Sequence, residues 1–156
     1  MTLPRARLYR LLPTEQPNPR TRGIDLATPR DVVRRINRED ALVARAVGRE
    51  ESRIVRAVEV IAGCLAGGGR MFLVGAGTSG RLGVLEAAEC PPTFGTSPSR
   101  IQALMAGGRG AVFKSKEGAE DDAEDGARRI GAKARRGDVV VGIAASGVTP
   151  FVRGAL

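Results

Sequence analysis

Residues 71–89 read MFLVGAGTSGRLGVLEAAE, and this stretch decides the fold. It begins with the apolar run MFLV at 71–74, which is typical of a buried strand. The glycine-rich segment GAGTSG at 75–80 follows at once, and apolar residues at helical spacing come after it. A strand that leads through a tight glycine loop into a helix predicts an α/β fold with a parallel sheet. The helix is expected to stop at Pro91-Pro92, because proline lacks the backbone N–H that a helix uses.

Two further strand-like stretches follow downstream. Residues 101–105 end at a pair of glycines, and residues 138–143 lead into the segment AASG at 144–147. Residues 123–134, between these two stretches, have a helical pattern. Strands that alternate with helices strengthen the prediction of a parallel α/β sheet.

Upstream of the first strand the sequence indicates helices after an irregular arm. The segment TPRD at 28–31 is typical of a helix start, since threonine caps, proline suits the first position and aspartate favours the first turn. The helical pattern continues, with a break or bend expected near residues 37–40, until three glycines at 67–69 end it. We therefore divide the chain into an extended N-terminal arm (1–27), a helical segment (28–69) and the α/β region (70–156).

Composition excludes several classes of protein. The 156 residues carry a net charge of +8, but residues 1–38 hold nine arginines against three acids, so most of the excess lies outside the α/β region. With one tyrosine, four phenylalanines and no tryptophan, the chain lacks an aromatic platform for stacked bases, and we expect no nucleic-acid partner. The absence of histidine excludes a Ser-His-Asp triad and a histidine-ligated zinc. No apolar run is long enough for a membrane span or a secretory leader, so we expect a cytoplasmic protein.

The two glycine loops predict a site for a phosphate group. Ligands of parallel sheets gather at the carboxyl ends of the strands, where glycines allow a close approach and helix N–H groups attract anions. The alternative is that the glycines only make tight turns. A dinucleotide site is disfavoured because no acid follows the second strand, and the P-loop pattern is absent. The candidate phosphate-binding residues are Gly77, Thr78, Ser79 and Gly80 in the first loop, and Ser146, Gly147 and Thr149 in the second.

Two groups of carboxylates are candidates for catalysis. Glu86 and Glu89 share one face of the first helix, and the expected helix end places Glu89 where the negative end of the helix dipole favours a protonated general acid. The second group lies at residues 117–122, an acidic run of the kind that is usually solvated. Cys90 is expected to be a core residue, because no histidine could activate it. No spacing of acids or cysteines indicates a metal site.

Four motifs in order resemble the N-acetylmuramic acid 6-phosphate etherases, a family within the sugar isomerase (SIS) domain superfamily. They are GAGTSGRLG at 75–83, AECPPT at 88–93, EGAED at 117–121 and GIAASG at 142–147. The resemblance implies N-terminal helices that lead into a flavodoxin-like SIS sandwich with a parallel sheet. Since members of that family are much longer, it also implies a chain truncated at its C-terminus. The incomplete sheet should then expose residues 139–143, or a neighbouring strand, as an unpaired edge.

The resemblance implies a carbon–oxygen lyase that acts on a sugar phosphate. It would cleave the D-lactyl ether of N-acetylmuramic acid 6-phosphate by elimination and hydration, as a homodimer and without metal or cofactor. Glu89 resembles the proton donor, and Glu120 resembles the other catalytic carboxylate, the expected base. The seven loop residues would hold the 6-phosphate, although Val148 stands where the family usually has arginine. The alternative function is a regulatory SIS protein that binds a sugar phosphate without catalysis.

Overall fold

The computed structural model describes residues 10–156, so the first nine residues of the predicted arm lie outside the described part. The chain divides into two compact units, one that ends at Val58 and one from Glu59 to Leu156. The elements are α1 (Pro29–Gly48), α2 (Glu51–Ala66), β1 (Met71–Gly75), α3 (Gly77–Phe94), β2 (Ile101–Met105), α4 (Gly110–Phe113), α5 (Ala123–Gly131), β3 (Val139–Ile143) and α6 (Pro150–Ala155). Within residues 10–156 no helix is both long and apolar enough to cross a membrane.

The first unit is built on a capped helix. Short 3-10 turns occur at Pro13–Glu15, Pro19–Thr21 and Ile24–Leu26. The Thr28 hydroxyl then accepts the backbone N–H of Asp31 at 3.3 Å, as the sequence predicted for a helix start. Helix α1 runs without interruption to Gly48, so there is no break near residues 37–40.

The second unit contains a parallel sheet with the strand order β2-β1-β3, which confirms the predicted α/β class. Successive side chains of a strand point to opposite faces. Phe72 and Val74 are fully buried in a cluster with Ile130 of α5 and Phe151 of α6, whereas Leu73 points towards Gly83 of α3. Helices therefore cover both faces of the central strand. Among the described residues β3 forms one edge of the sheet, as predicted from the sequence.

An ion pair joins the amino ends of β1 and β3. The Asp138 carboxylate accepts the Arg70 backbone N–H at 2.9 Å and the Arg70 Nη2 at 2.6 Å, and it also accepts the backbone N–H of Arg135 at 2.8 Å. These bonds, above all the side-chain bonds from Arg70, hold the pKa of Asp138 well below its usual range. The pair fixes the start of the two strands whose opposite ends carry the predicted loops.

Helix α3 does not stop at the proline pair. It continues through Pro91 and Pro92 to Phe94 and ends at Gly95, whose N–H donates to the Pro91 carbonyl at 2.9 Å. Gly95 has a φ of +66°, the left-handed conformation that commonly closes a helix. Pro91 and Pro92 have no backbone N–H, so the helix lacks the two hydrogen bonds that these positions would otherwise donate. Cys90 beside them is buried, as predicted.

Candidate active site

The register of the sheet brings three loops to one edge. Gly75 at the carboxyl end of β1 pairs with Met105 of β2 on one side and with Ile143 of β3 on the other. The segments that follow these strands, residues 76–79, 106–109 and 144–149, therefore leave the sheet next to one another. The two hydroxyl-bearing loops that the sequence singled out follow the adjacent strands β1 and β3.

The first loop owes its shape to close backbone contact. A Cβ at Gly80 would lie 2.7 Å from the Gly75 carbonyl oxygen, and a Cβ at Gly75 would lie 2.6 Å from the Gly80 nitrogen. These two glycines thus allow α3 to start directly against the end of β1. Gly77 has a φ of +55°, and the first turn of α3 then carries Thr78, which is exposed, and Ser79, which is half-buried. The first backbone N–H groups of a helix have no partner within it, so this turn presents donors together with hydroxyl groups.

The second loop is a tight turn ahead of α6. Gly147 has a φ of +69°, and the Val148 N–H donates to the Ser146 hydroxyl oxygen at 3.3 Å. Thr149 occupies the N-cap position of α6, where its side chain makes no capping bond. Since Val148 takes part in the turn through its backbone, the turn does not depend on the side chain at that position.

The third loop was not identified as part of the site from the sequence. Gly107 and Gly108 both have a φ of +77°, and Arg109 after them is exposed. Arg81, in the first helix turns after the GAGTSG segment, donates from Nε to the Val112 carbonyl at 2.7 Å and from Nη2 to the Ala111 carbonyl at 2.9 Å. This arginine ties α3 to α4, and so to the third loop. The position of Arg81 directly after the glycine loop, in the motif GTSGR, is the sequence signal that could have indicated that it holds α3 against α4.

The structure assigns different tasks to members of the acidic run. Asp122 caps α5, where its carboxylate accepts the Asp125 N–H at 2.8 Å. Asp125 pairs with Arg129 at 2.6 Å, and the side-chain hydrogen bond from Arg129 lowers its pKa. Glu120 lies in a 3-10 turn, Ala119–Asp121, that follows Gly118 in the left-handed conformation and packs against α6. It is half-buried, unlike Glu117, which is exposed.

Glu89 lies far along α3 from the first loop. It is exposed on α3, twelve residues after Gly77, with which the helix begins. At a rise of about 1.5 Å per residue, the two residues are separated by about 18 Å along the helix. The expectation that Glu89 lies at the end of its helix is wrong, because α3 continues for five residues to Phe94.

A groove of about 950 Å³ lies along β2 and reaches the third loop. Val84 of α3, Met105 of β2, Phe113 of α4 and Arg129 of α5 are among the residues that line it. None of its lining residues belongs to the seven phosphate-binding candidates, and neither Glu89 nor Glu120 is among them. Within residues 10–156 the structure contains no group of three cysteine, aspartate or glutamate residues placed to hold a metal ion.

Comparison with known proteins identifies the domain. Residues 53–156 match the family described as the glucokinase regulatory protein N-terminal SIS domain. Proteins named N-acetylmuramic acid 6-phosphate etherase are also similar. The one from Salinibacter ruber is 55% identical over 93% of this chain and 47% of its own length. The one from Rippkaea orientalis is 52% identical over 92% of this chain and 47% of its own length. The one from Symbiobacterium thermophilum is 56% identical over 85% of this chain and 44% of its own length.

The chain thus spans about half the length of the curated relatives that it matches. The family match covers the sheet, the three loops and the helices that pack on them. The chain belongs to the SIS-domain family.

Proposed function

We propose that this chain supplies the phosphate site and the two catalytic carboxylates of a lyase. The lyase cleaves the D-lactyl ether of N-acetylmuramic acid 6-phosphate and releases N-acetylglucosamine 6-phosphate and D-lactate. The observation that carries the proposal is the register of β1 with β3, which sets the Thr78-Ser79 loop beside the Ser146–Thr149 loop. The name of the relatives, at 52–56% identity in the three compared above, indicates the substrate.

The two loops suit the 6-phosphate of such a sugar. The first turn of α3 offers backbone N–H groups, the positive end of an 18-residue helix and the hydroxyls of Thr78 and Ser79. Ser146 and Thr149 add hydroxyls from the neighbouring loop. The candidates Gly77, Gly80 and Gly147 contribute backbone shape rather than side chains. A phosphate held in this way needs no arginine at position 148, although Val148 removes a positive charge that the resembling family usually has.

Glu120 is the proposed base. It takes the proton from C2 of the open-chain sugar, where the C1 aldehyde acidifies that proton. The C3–oxygen bond then breaks, its electrons pass to the lactate oxygen, and a C2=C3 double bond forms. Glu89 gives a proton to the lactate oxygen, and water afterwards adds its hydroxyl to C3 while C2 regains a proton. These steps use two carboxyl groups in opposite protonation states and no cofactor.

The organisation of the chain follows from this function. In this proposal residues 70–156 are the first half of a SIS domain, residues 28–69 are a helical segment that leads into it, and residues 1–27 are the arm. The protein acts in the cytoplasm, where phosphorylated sugars are retained, and it acts as a homodimer. Its partners are the sugar phosphate and a second subunit rather than nucleic acid or membrane.

A lactate assay with the full chain tests the activity. Purified protein is incubated with N-acetylmuramic acid 6-phosphate, and D-lactate is measured over time. We expect release that falls by about 100-fold or more in Glu120→Gln, since general acid–base groups contribute at least that factor. Glu117→Gln, an exposed acid in the same segment, should keep the wild-type rate. Equal rates for the two variants would contradict the role of Glu120.

A regulatory protein that only binds the sugar phosphate is the second candidate function. The separation of Glu89 from the first loop along α3 favours it, because a binding protein does not need an acid at the reacting carbon. Calorimetric titration distinguishes the two functions. A binding protein would take up N-acetylglucosamine 6-phosphate with saturation, lose that binding in Ser79→Ala, and release no lactate from the ether substrate.

A further inference from the structure

We propose that the groove along β2 binds an extended acidic peptide of a partner protein. The peptide adds as a strand to the edge of the sheet, and its side chains alternate between apolar and acidic. The inference goes beyond the proposed function and does not rest on it, because none of the phosphate-binding or catalytic candidates lines this groove.

Strand β2 is an edge of the sheet with free backbone groups. Among residues 10–156 it pairs only with β1. The Arg100 carbonyl and the Ala106 N–H both bond to β1, at 2.8 and 3.0 Å, so the even-numbered residues of this stretch turn their backbone groups towards β1. Because the direction of these groups alternates along a strand, Ile101 and Ala103 turn theirs outward, into the groove. An added strand could pair with them.

The two walls of the groove lie on opposite faces of the sheet. Helix α3 packs on the face to which Leu73 points, and α5 packs on the face of Phe72. The wall on the α3 side is apolar and contains Val84, Ala87 and Ala88. A strand that adds to β2 points successive side chains to the two faces in turn. Every second side chain of the peptide therefore contacts the α3 wall, where an apolar side chain is removed from water.

The wall on the α5 side is basic. It contains Arg128, Arg129 and Lys133, and Arg109 lies where the groove reaches the third loop. Asp125 pairs with both arginines of α5, so four cations and one carboxylate leave a net charge of +3. None of the described residues that line the groove is itself an acid. The side chains of the peptide that point to this wall are therefore expected to be carboxylates.

The free edge has a defined length. The Met105 carbonyl accepts the Gly108 N–H at 2.9 Å, so the edge ends at the third loop. The five residues of β2, Ile101–Met105, span about 16 Å at about 3.3 Å per residue. Backbone bonds to Ile101 and Ala103 supply affinity, and the two unlike walls supply the preference for alternating side chains, as is usual for strand addition.

Binding of synthetic peptides to the full chain tests the proposal. The probe is a fluorescein-labelled peptide of seven residues that alternates valine with glutamate, and fluorescence anisotropy measures its Kd. One control peptide has lysine in place of glutamate, and the other has the same composition with all valines in one block. We expect saturable binding of the alternating peptide and at least 10-fold weaker binding of both controls. Equal binding of the alternating and block peptides, or no saturable binding, would overturn the proposal.

A charge reversal on the basic wall tests the place of binding. Lys133 is exposed, so Lys133→Glu should fold normally, and we expect it to raise the Kd of the alternating peptide about 5-fold or more. Arg153→Glu is the matched control, because it makes the same change of charge at an exposed residue outside the groove. It should keep the wild-type Kd. An equal loss in both variants would show that only the net charge of the protein attracts the peptide, which contradicts the proposal.

Amide exchange measured by NMR tests the strand addition itself. A saturating amount of peptide should slow exchange at Ile101 and Ala103, whose N–H groups face the groove, and should change Gln102 and Leu104 little, because these already bond to β1. Binding that leaves Ile101 and Ala103 unprotected would refute strand addition. Protection of these two amides before any peptide is added would mean that a second copy already covers the edge, and this result would also overturn the proposal.

Discussion

The two units of the chain differ in how their residues are buried. In the second unit Phe72 and Phe151 are 0% exposed and belong to a continuous core cluster. In the first unit α1 has no buried residue, and Val33 remains 56% exposed. The sheet is thus stabilised by its own packing, whereas α1 is held by surface bonds such as its N-cap and the ion pair of Arg20 with Glu39. Substitutions in the two units should consequently have effects of different size and different origin.

Removal of a core aromatic side chain should have the largest effect. Phe151→Ala leaves a cavity beside Phe72 and Ile130, and we expect a loss of about 3–5 kcal/mol in the free energy of unfolding. Urea unfolding followed by circular dichroism measures it. The matched variant in the first unit is Val33→Ala, which should change the free energy by about 0.5 kcal/mol or less. Similar losses for both variants would show that the contrast between the units is false.

The ion pair at the start of the strands should have a smaller and pH-dependent effect. Because side-chain bonds from Arg70 lower the pKa of Asp138, the unfolded chain binds the proton more readily than the folded chain. This contribution to stability is present above the unfolded pKa, about 3.9, and is lost as the pH falls through the lower pKa of the folded state. Asp138→Asn should therefore unfold more easily than wild type at pH 7.

Acid titration of the two proteins provides the check on this pair. The difference between their urea midpoints should shrink as the pH falls below about 4, since wild-type Asp138 then loses its advantage. Glu117→Gln, an exposed acid in the same unit, is the control for a general effect of lost charge. A difference that stays constant from pH 7 to pH 2 would show that the stabilisation does not come from the charge of Asp138.

Structural features that depend on local chemistry were predicted correctly from the sequence, whereas features that depend on tertiary packing were not. The start of α1 at Thr28 and Pro29 and the strand–loop–helix unit at 71–94 followed from capping and periodicity. The end of α3 was placed too early, because the helix continues through Pro91 and Pro92 and ends only at Gly95, whose positive φ closes it. That error also misplaced Glu89, which was expected at the end of the helix and lies five residues before it. The task of Arg81 depends on carbonyl groups about thirty residues away, which no local pattern reveals.

Loss of the N-cap of α1 should have the smallest effect of the three, and a local one. Thr28→Ala removes the hydroxyl that accepts the Asp31 N–H, at an expected cost of about 1 kcal/mol. Since α1 has no buried residue, this cost should appear as faster amide exchange in its first turn, and the free energy of unfolding of the sheet should not change. Exchange measured by mass spectrometry on a peptide from residues 28–36 gives the readout, and Thr28→Ser, which keeps the hydroxyl, should exchange like wild type. If Thr28→Ala accelerated exchange equally in β1, the capped helix and the sheet would have to unfold as one, and the contrast between the two units would no longer hold.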